Sequence, residues 1–274
     1  MIKDITIGQY FPGDSVVHKI DPRMKIILTI AYIVLLFIAN NLLGFIIPIV
    51  FVILMYKIAK IPFSFIAKSV KPILLLILFT SLVNLFFISG DAVFKFYFIT
   101  ITTQGIQTAV FMAVRILCLI VGTSLLTYTT SPIVLTDGIE QLLSPLAKIK
   151  LPVHELAMMM TIALRFIPTL IEETDKIMSA QKARGAKLDS GNFGERVKAL
   201  IPVLIPLFVS AFRRAAELAL AMECRCYRGG EGRTKLNVLK FHTRDLGALL
   251  IMTVSFICVV SVNILSSNYL IGWI

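Results

Sequence analysis

Acidic residues are scarce in this chain. Sixteen aspartates and glutamates stand against 27 lysines and arginines, a formal net charge of +11. None of the acids falls in the apolar runs that read as membrane spans, where proton- or sodium-coupled transporters place them. Catalytic signatures are missing too. No G-x-x-x-x-G-K-[ST] phosphate loop occurs; Gly229-Gly230-Glu231-Gly232-Arg233-Thr234 has glycines without the spacing or the lysine, and reads as a helix stop and turn. There is no H-E-x-x-H zinc site and no G-x-S-x-G nucleophile elbow. The three histidines, His18, His154 and His242, share no ligand spacing and read as polar surface groups. The four cysteines give no disulfide framework. Cys118 and Cys258 lie in apolar runs, while Cys224 and Cys226 sit in a basic region assigned to the reducing cytoplasm, with no second pair or nearby histidine to complete a metal site. All four are expected to be free thiols. The N-terminus lacks the basic, apolar and small-residue succession of a cleavable signal. A transporter with this inventory has no energy source of its own, so the chain reads as a coupler that depends on a partner.

What is abundant is apolar surface. At 57% hydrophobic and 16% charged, the chain departs from soluble domains, which average roughly 45–50% and 25%. The reading is an all-α integral membrane protein. Its positive charge lies beside and between the apolar runs, which fits the positive-inside rule and a bilayer rather than a nucleic acid. Five spans are expected, at about 24–39, 42–59, 72–89, 105–128 and 246–265. Asp21-Pro22 opens the first with a capping carboxylate and a proline at the first helical position. Pro72 opens the third, which ends at Gly90-Asp91. Arg115 interrupts the fourth and is expected to pack inward, since an arginine at mid-span costs about 2.5–3.5 kcal/mol on insertion scales. The lysine and arginine bias puts the N-terminus inside and the C-terminus outside, with Tyr269 and Trp273 in an outer interfacial belt. The domain plan is a membrane domain over 1–130, a cytoplasmic coupling domain over 131–245, and the last span in 246–274.

The basic stretch 151–234 organises the rest. After a short helix over about 131–146 opened by Ser131-Pro132, it reads as two long amphipathic helices. In the first, Leu156, Met159, Met160, Ala163, Phe166, Ile167, Leu170 and Ile177 recur at spacings of three and four, with Arg165, Glu172, Glu173 and Lys176 opposite. Pro168 is expected to kink it. The second, after a loop around Asp189 to Asn192, carries Val197, Leu200, Ile201, Leu204, Ile205 and Phe208, then Ala215, Ala216, Ala219 and Met222, with kinks expected at Pro202 and Pro206. The apolar run 199–212 is short of the roughly 20 residues that cross a bilayer, and is expected to be interfacial or covered by protein. Each helix stops just after an arginine, at Ala183-Arg184-Gly185 and Cys224-Arg225-Cys226. A guanidinium there suits the helix dipole, and its planar fork can also grip a carboxylate or carbonyls on another protein.

Several stretches together are specific. Ile7-Gly8-Gln9-Tyr10, His18-Lys19-Ile20-Asp21-Pro22-Arg23, Leu164-Arg165-Phe166-Ile167-Pro168-Thr169, Ala180-Gln181-Lys182-Ala183-Arg184-Gly185 and Tyr227-Arg228-Gly229-Gly230-Glu231-Gly232-Arg233-Thr234 resemble the transmembrane T component of energy-coupling factor transporters over nearly the whole chain. These are ABC-type importers of vitamins and transition-metal ions in prokaryotic cell membranes. The resemblance implies a non-catalytic subunit whose two arginine motifs, on Ala183, Arg184 and Gly185 and on Cys224, Arg225 and Cys226, each dock in one of two ABC-type ATPase subunits. ATP and magnesium would then be bound by those partners, with no cofactor on this chain. Alanine and glycine usually flank the second arginine; Cys226 stands where glycine is expected, and Gly229 and Gly230 are candidates to supply the stop instead. A small membrane substrate-binding S component is implied as well, with Met158, Met159, Met160, Leu200, Leu204 and Phe208 as candidate contacts; these faces could equally pack on one another. Two other readings stay open on the residues alone: a membrane enzyme using Glu172, Glu173 and Asp175 beside Arg165, and a homodimeric permease with its own pore.

Overall fold

The computed structural model describes residues 10–39, 41–88, 92–96, 99–150, 152–186, 192–229 and 239–269. Ile7 to Gln9, Asn40, Gly90-Asp91, the loop residues 189–191, Gly230 to Thr234 and Trp273 lie outside them. The chain divides into two compact units, 8–138 with 239–274, and 139–238.

The first unit opens with α1 (Pro22–Ile38), capped as the sequence predicts: an Asp21 carboxylate oxygen accepts the Arg23 N–H at 2.9 Å and Pro22 takes the first turn. α2 (Leu42–Ala59) runs through Pro48 and stops where Lys60 enters the left-handed region at φ 56°. The third span begins earlier than expected. α3 (Phe63–Val70) passes through a 3-10 turn at Lys71–Ile73 into α4 (Leu74–Phe87), because Lys71 keeps helical angles (φ −50°, ψ −49°) despite the proline after it. The connection after α4 folds into a hairpin. β1 (Ala92–Phe96) pairs antiparallel with β2 (Ile99–Thr102), whose alternating β-branched residues favour a strand. Thr102 then caps α5 (Thr103–Thr129), its hydroxyl accepting the Gly105 N–H at 3.0 Å. α6 (Pro132–Leu143) is followed by a 3-10 segment, Ser144–Ile149, so the short helix ends three residues before the sequence reading. α9 (Thr243–Tyr269) completes the unit.

α5 is the central post of this unit, packed on α1, α2, α3 and α4, while α9 packs on α1 and α2. Tyr32, Leu35, Leu36, Phe45, Val121, Tyr128 and Val259 form the core. A Cβ on Gly122 would overlap the Tyr32 ring, so glycine is what lets α1 and α5 approach. The Tyr56 hydroxyl donates to the Val121 carbonyl at 2.9 Å. Arg115 packs inward: it donates to the Ala39 carbonyl at 3.0 Å, at the open end of α1, and lies 4.7 Å from the Phe111 ring centroid. At the other end of α1 the buried Asp245 carboxylate accepts the Asp21 N–H at 2.9 Å and the His242 N–H at 2.7 Å, tying the starts of α1 and α9 together. The buried Lys25 ammonium donates to the carbonyls of His18 and Thr129 and to the Thr130 hydroxyl, using its three N–H groups.

The second unit is built on α7 (Val153–Ala183) and α8 (Phe193–Cys224). α7 runs unbroken through Pro168, and α8 through Pro202 and Pro206. Among the described residues five stretches can cross a bilayer by length and composition: 63–87, 103–129, 153–183, 197–224 and 243–265. Three coincide with expected spans. α7 and α8 join them, while α1, at 17 residues and about 25 Å, and α2, at 18 residues and about 27 Å, fall short of the roughly 30 Å hydrocarbon core.

Candidate coupling site

Both long helices end with the same backbone device. Arg184 is the C-cap of α7; Gly185 turns left-handed at φ 88°, the Ala186 N–H reaches the Gln181 carbonyl at 3.0 Å and the Gly185 N–H reaches that of Lys182 at 3.0 Å. Arg225 is the C-cap of α8; Cys226 turns left-handed at φ 56°, the Tyr227 N–H reaches the Met222 carbonyl at 3.0 Å and the Cys226 N–H reaches that of Glu223 at 2.8 Å. These paired bonds satisfy carbonyls that a helix end otherwise leaves open. The stop of α8 therefore lies on Cys226. Gly229, left-handed at φ 91°, comes three residues later and does not end the helix, contrary to the expectation that glycines at 229, 230 and 232 do so.

Ala183, Arg184, Gly185, Cys224, Arg225 and Cys226 are all exposed. Among the described residues neither arginine side chain makes a hydrogen bond or ion pair. Each guanidinium is thus presented at a helix end with its donors unspent among the described residues.

Polar contacts fix how α7 and α8 lie. The Gln181 side chain donates to the Pro202 carbonyl at 3.2 Å, Glu173 accepts from the Arg214 guanidinium at 2.8 Å and from the Ser210 hydroxyl, and Ile162, Phe166 and Leu170 face Ala215, Leu218 and Met222 across a groove of about 260 Å³. Position falls on one helix as it rises on the other, so the pair is antiparallel. The last residues of α7 come level with about Ile201 on α8, which puts the two arginine ends roughly 35 Å apart along the pair. At the start of α8 the Glu195 carboxylate accepts the Asn192 N–H at 3.2 Å, a capping contact the sequence reading passed over.

The candidate partner contacts divide by exposure. Met159, Met160, Leu200, Leu204 and Phe208 are exposed and Met158 is half-buried. On α8 the buried side holds Val203 and Ser210, while the outer side carries Leu200, Ile201, Leu204, Ile205, Phe208 (60% exposed) and Phe212 (73%). Apolar residues thus face away from α7, the reverse of an ordinary surface helix. The residues of the enzyme reading do not form one site: Glu173 is taken by Arg214 and Ser210, and Glu172 is exposed. No cluster of three metal-binding side chains occurs among the described residues.

A family model described as cobalt transport protein, CbiQ, matches residues 13–236. The chain is 56% identical over 263 residues to the energy-coupling factor transporter transmembrane protein EcfT of Clostridium kluyveri, covering 94% of this chain and 97% of that protein. The protein of the same name from Ruminiclostridium cellulolyticum is 56% identical over 246 residues (90% and 92%), and that from Bacillus subtilis 49% over 255 residues (93% and 96%). Full-length similarity at this level, on a multi-pass helical scaffold whose two long helices end in matching arginine caps, places the chain in the family of transmembrane T components of energy-coupling factor transporters.

Proposed function

We propose that this chain is the non-catalytic coupling subunit of its transporter, docking one ABC-type ATPase on Arg184 and a second on Arg225. The observation that carries this reading is the duplicated helix end: two exposed arginines on identical caps, at opposite ends of one antiparallel pair. A separation of roughly 35 Å suits two protein subunits and exceeds what a single small ligand could bridge. When the ATPases bind ATP and move together, the ends are drawn with them and the angle between α7 and α8 changes. ATP and magnesium belong to the ATPases, and this chain holds no cofactor.

The moving pair acts on a small membrane S component that carries the substrate. The apolar outer side of α8 from Leu200 to Phe208, with Met158 to Met160 on α7, is its seat. Methionine's flexible thioether fits a surface that accepts more than one partner. Although α7 and α8 are long enough to cross a bilayer, Arg165, Glu172, Glu173, Asp175 and Lys176 on α7 argue for a place at the cytoplasmic face, since ionised side chains are costly in hydrocarbon. The membrane domain over 1–130 and the last span lie in a prokaryotic cell membrane, with the N-terminus inside and the C-terminus outside.

Co-purification tests the reading. From detergent-solubilised membranes the native chain should bring down two ATPase subunits and a small membrane protein. Arg184→Glu and Arg225→Glu should each weaken ATPase retention, and the double variant should lose it while remaining folded. Full retention by the folded double variant would sink the docking role.

A further inference from the structure

The cytoplasmic end of the membrane unit carries a second set of exposed cations. Lys57 lies in the last turn of α2, Lys60 caps it, Lys68 lies in the last turn of α3 and Lys71 opens the 3-10 turn. All four are exposed, and none makes an ion pair among the described residues. No aspartate or glutamate occurs in sequence between Asp21 and Asp91. Ser64, Lys68 and Lys71 follow at spacings of four and three, which puts a hydroxyl and two ammonium groups on one side of the helical run.

The flank of that run beside Lys68 is anchored, the Lys68 ammonium lying 5.6 Å from the Phe65 ring centroid. The Phe65 ring meets Phe11 and Tyr128 edge to face, with centroids 5.3 and 5.5 Å apart, and its carbonyl accepts the Tyr128 hydroxyl at 3.0 Å. Phe63, 77% exposed, stands in the first turn of α3. Depth follows from helix rise. Lys71 is 16 residues before Phe87, about 24 Å of helix, so with α4 in hydrocarbon Lys71 reaches the hydrocarbon edge and Lys68 the headgroup layer one turn on. Long lysine stems let the ammonium groups stay at that level.

We infer that Lys57, Lys60, Lys68 and Lys71 form a binding surface for the phosphates of anionic phospholipids in the cytoplasmic leaflet, with Phe63 inserted beside the headgroups. The inference rests on the inward orientation proposed above. Phospholipid is favoured over an acidic protein because the cations sit at headgroup depth beside an exposed aromatic ring, and because a lipid phosphate satisfies an ammonium without requiring a matching docking face. The surface would set which lipids surround α2 and α4 and fix the depth at which this end of the unit rides.

The test uses the full chain in mixed micelles of phosphatidylglycerol and phosphatidylcholine, with retained lipid counted by native mass spectrometry. The native protein should retain phosphatidylglycerol preferentially, and less so as salt rises. The variant carrying Lys57→Gln, Lys60→Gln, Lys68→Gln and Lys71→Gln should lose at least about tenfold of that preference. The Lys68→Gln, Lys71→Gln pair should lose part of it, and replacement of all four by arginine should keep it. Equal preference in the native and four-glutamine proteins overturns the proposal. So does the case in which the variant keeps its lipids and instead loses a co-purifying protein. Labelling of Ser64→Cys from each side of sealed vesicles reports orientation separately; labelling from outside only would contradict the inward topology whatever the lipid count.

Discussion

The two units spend their polar and apolar groups differently. In the membrane unit the buried ions are used up internally: Lys25 has three acceptors and Asp245 holds two backbone N–H groups, while the half-buried Arg115 donates to the carbonyl at the end of α1. Tyr32, Leu35, Leu36 and Phe45 are sealed at 3% exposure or less. In the unit of α7 and α8 a few contacts fix the register, while Phe208, Phe212, Arg184 and Arg225 are left uncovered. The first unit is complete as a scaffold. The second leaves apolar faces and two guanidinium groups open, which suits the coupling role proposed for it.

Substitutions can break this contrast, and the largest effect belongs to the scaffold. Gly122→Leu drives a side chain into the Tyr32 ring; overpacking costs about 1–3 kcal/mol or more, and the folded, monodisperse fraction by size-exclusion chromatography should collapse. Arg184→Glu with Arg225→Glu should leave that fraction intact and remove the ATPases, the opposite pattern. If the double variant unfolds, the second unit is more self-reliant than the contrast allows.

Polar ties in the two units give a smaller, graded comparison. Asp245→Ala strands two backbone N–H groups at a buried position, each worth about 1–3 kcal/mol, and should lower the thermal midpoint clearly. Glu173→Ala frees Arg214 and Ser210 at a part-exposed site, where an ion pair contributes about 0–1 kcal/mol. The scaffold should unfold at nearly its native temperature, with the loss appearing in ATPase coupling rather than in stability.

The caps sharpen the comparison within the second unit. Gly185 takes its positive φ without steric cost, whereas Cys226 at φ 56° bears the penalty of a Cβ in the left-handed region, about 1–2 kcal/mol. Cys226→Gly should therefore stabilise the end of α8 by about 1 kcal/mol and Gly185→Ala should destabilise that of α7 by a similar amount, both read by hydrogen exchange at the last turns. The smallest effect concerns pH. Burial alone would push the Asp21 carboxyl up, but hydrogen bonds from Arg23 and its charge outweigh that and hold it below its ordinary value of 3.8. Stability from Asp21 is thus present at neutral pH and is withdrawn as pH falls below that value and through the depressed one. Asp21→Asn should flatten the acid limb of the midpoint against pH.

Elements with a local chemical signature were legible in the sequence. Asp21-Pro22 marked the start of α1, and the two Arg-ended amphipathic patterns marked α7 and α8 to within a residue. Arg115 in an apolar run announced an inward contact, though not that its acceptor would be the Ala39 carbonyl 76 residues away. The hairpin of β1 and β2 is not legible in the sequence, because two short strands between spans carry little periodic signal. Pro72 reads as a helix start because a proline disfavours helical angles in the residue before it, yet Lys71 keeps them. Propensity favours glycine at the left-handed position that Cys226 takes, and the stop there is held by local backbone bonds from Cys226 and Tyr227 to Glu223 and Met222. Pairings such as Glu173 with Arg214 and Gln181 with Pro202 depend on how two helices cross, which single-helix periodicity does not encode.

The central claim is that the two arginine ends engage two different ATPase subunits. Photocrosslinking from position 184 and, separately, from position 225 in the assembled transporter, with the two ATPase chains tagged apart, tests it most directly. The account predicts one dominant crosslink from each position, each to a different ATPase chain. Crosslinks from both positions to the same ATPase chain, or from neither to any ATPase, would contradict it.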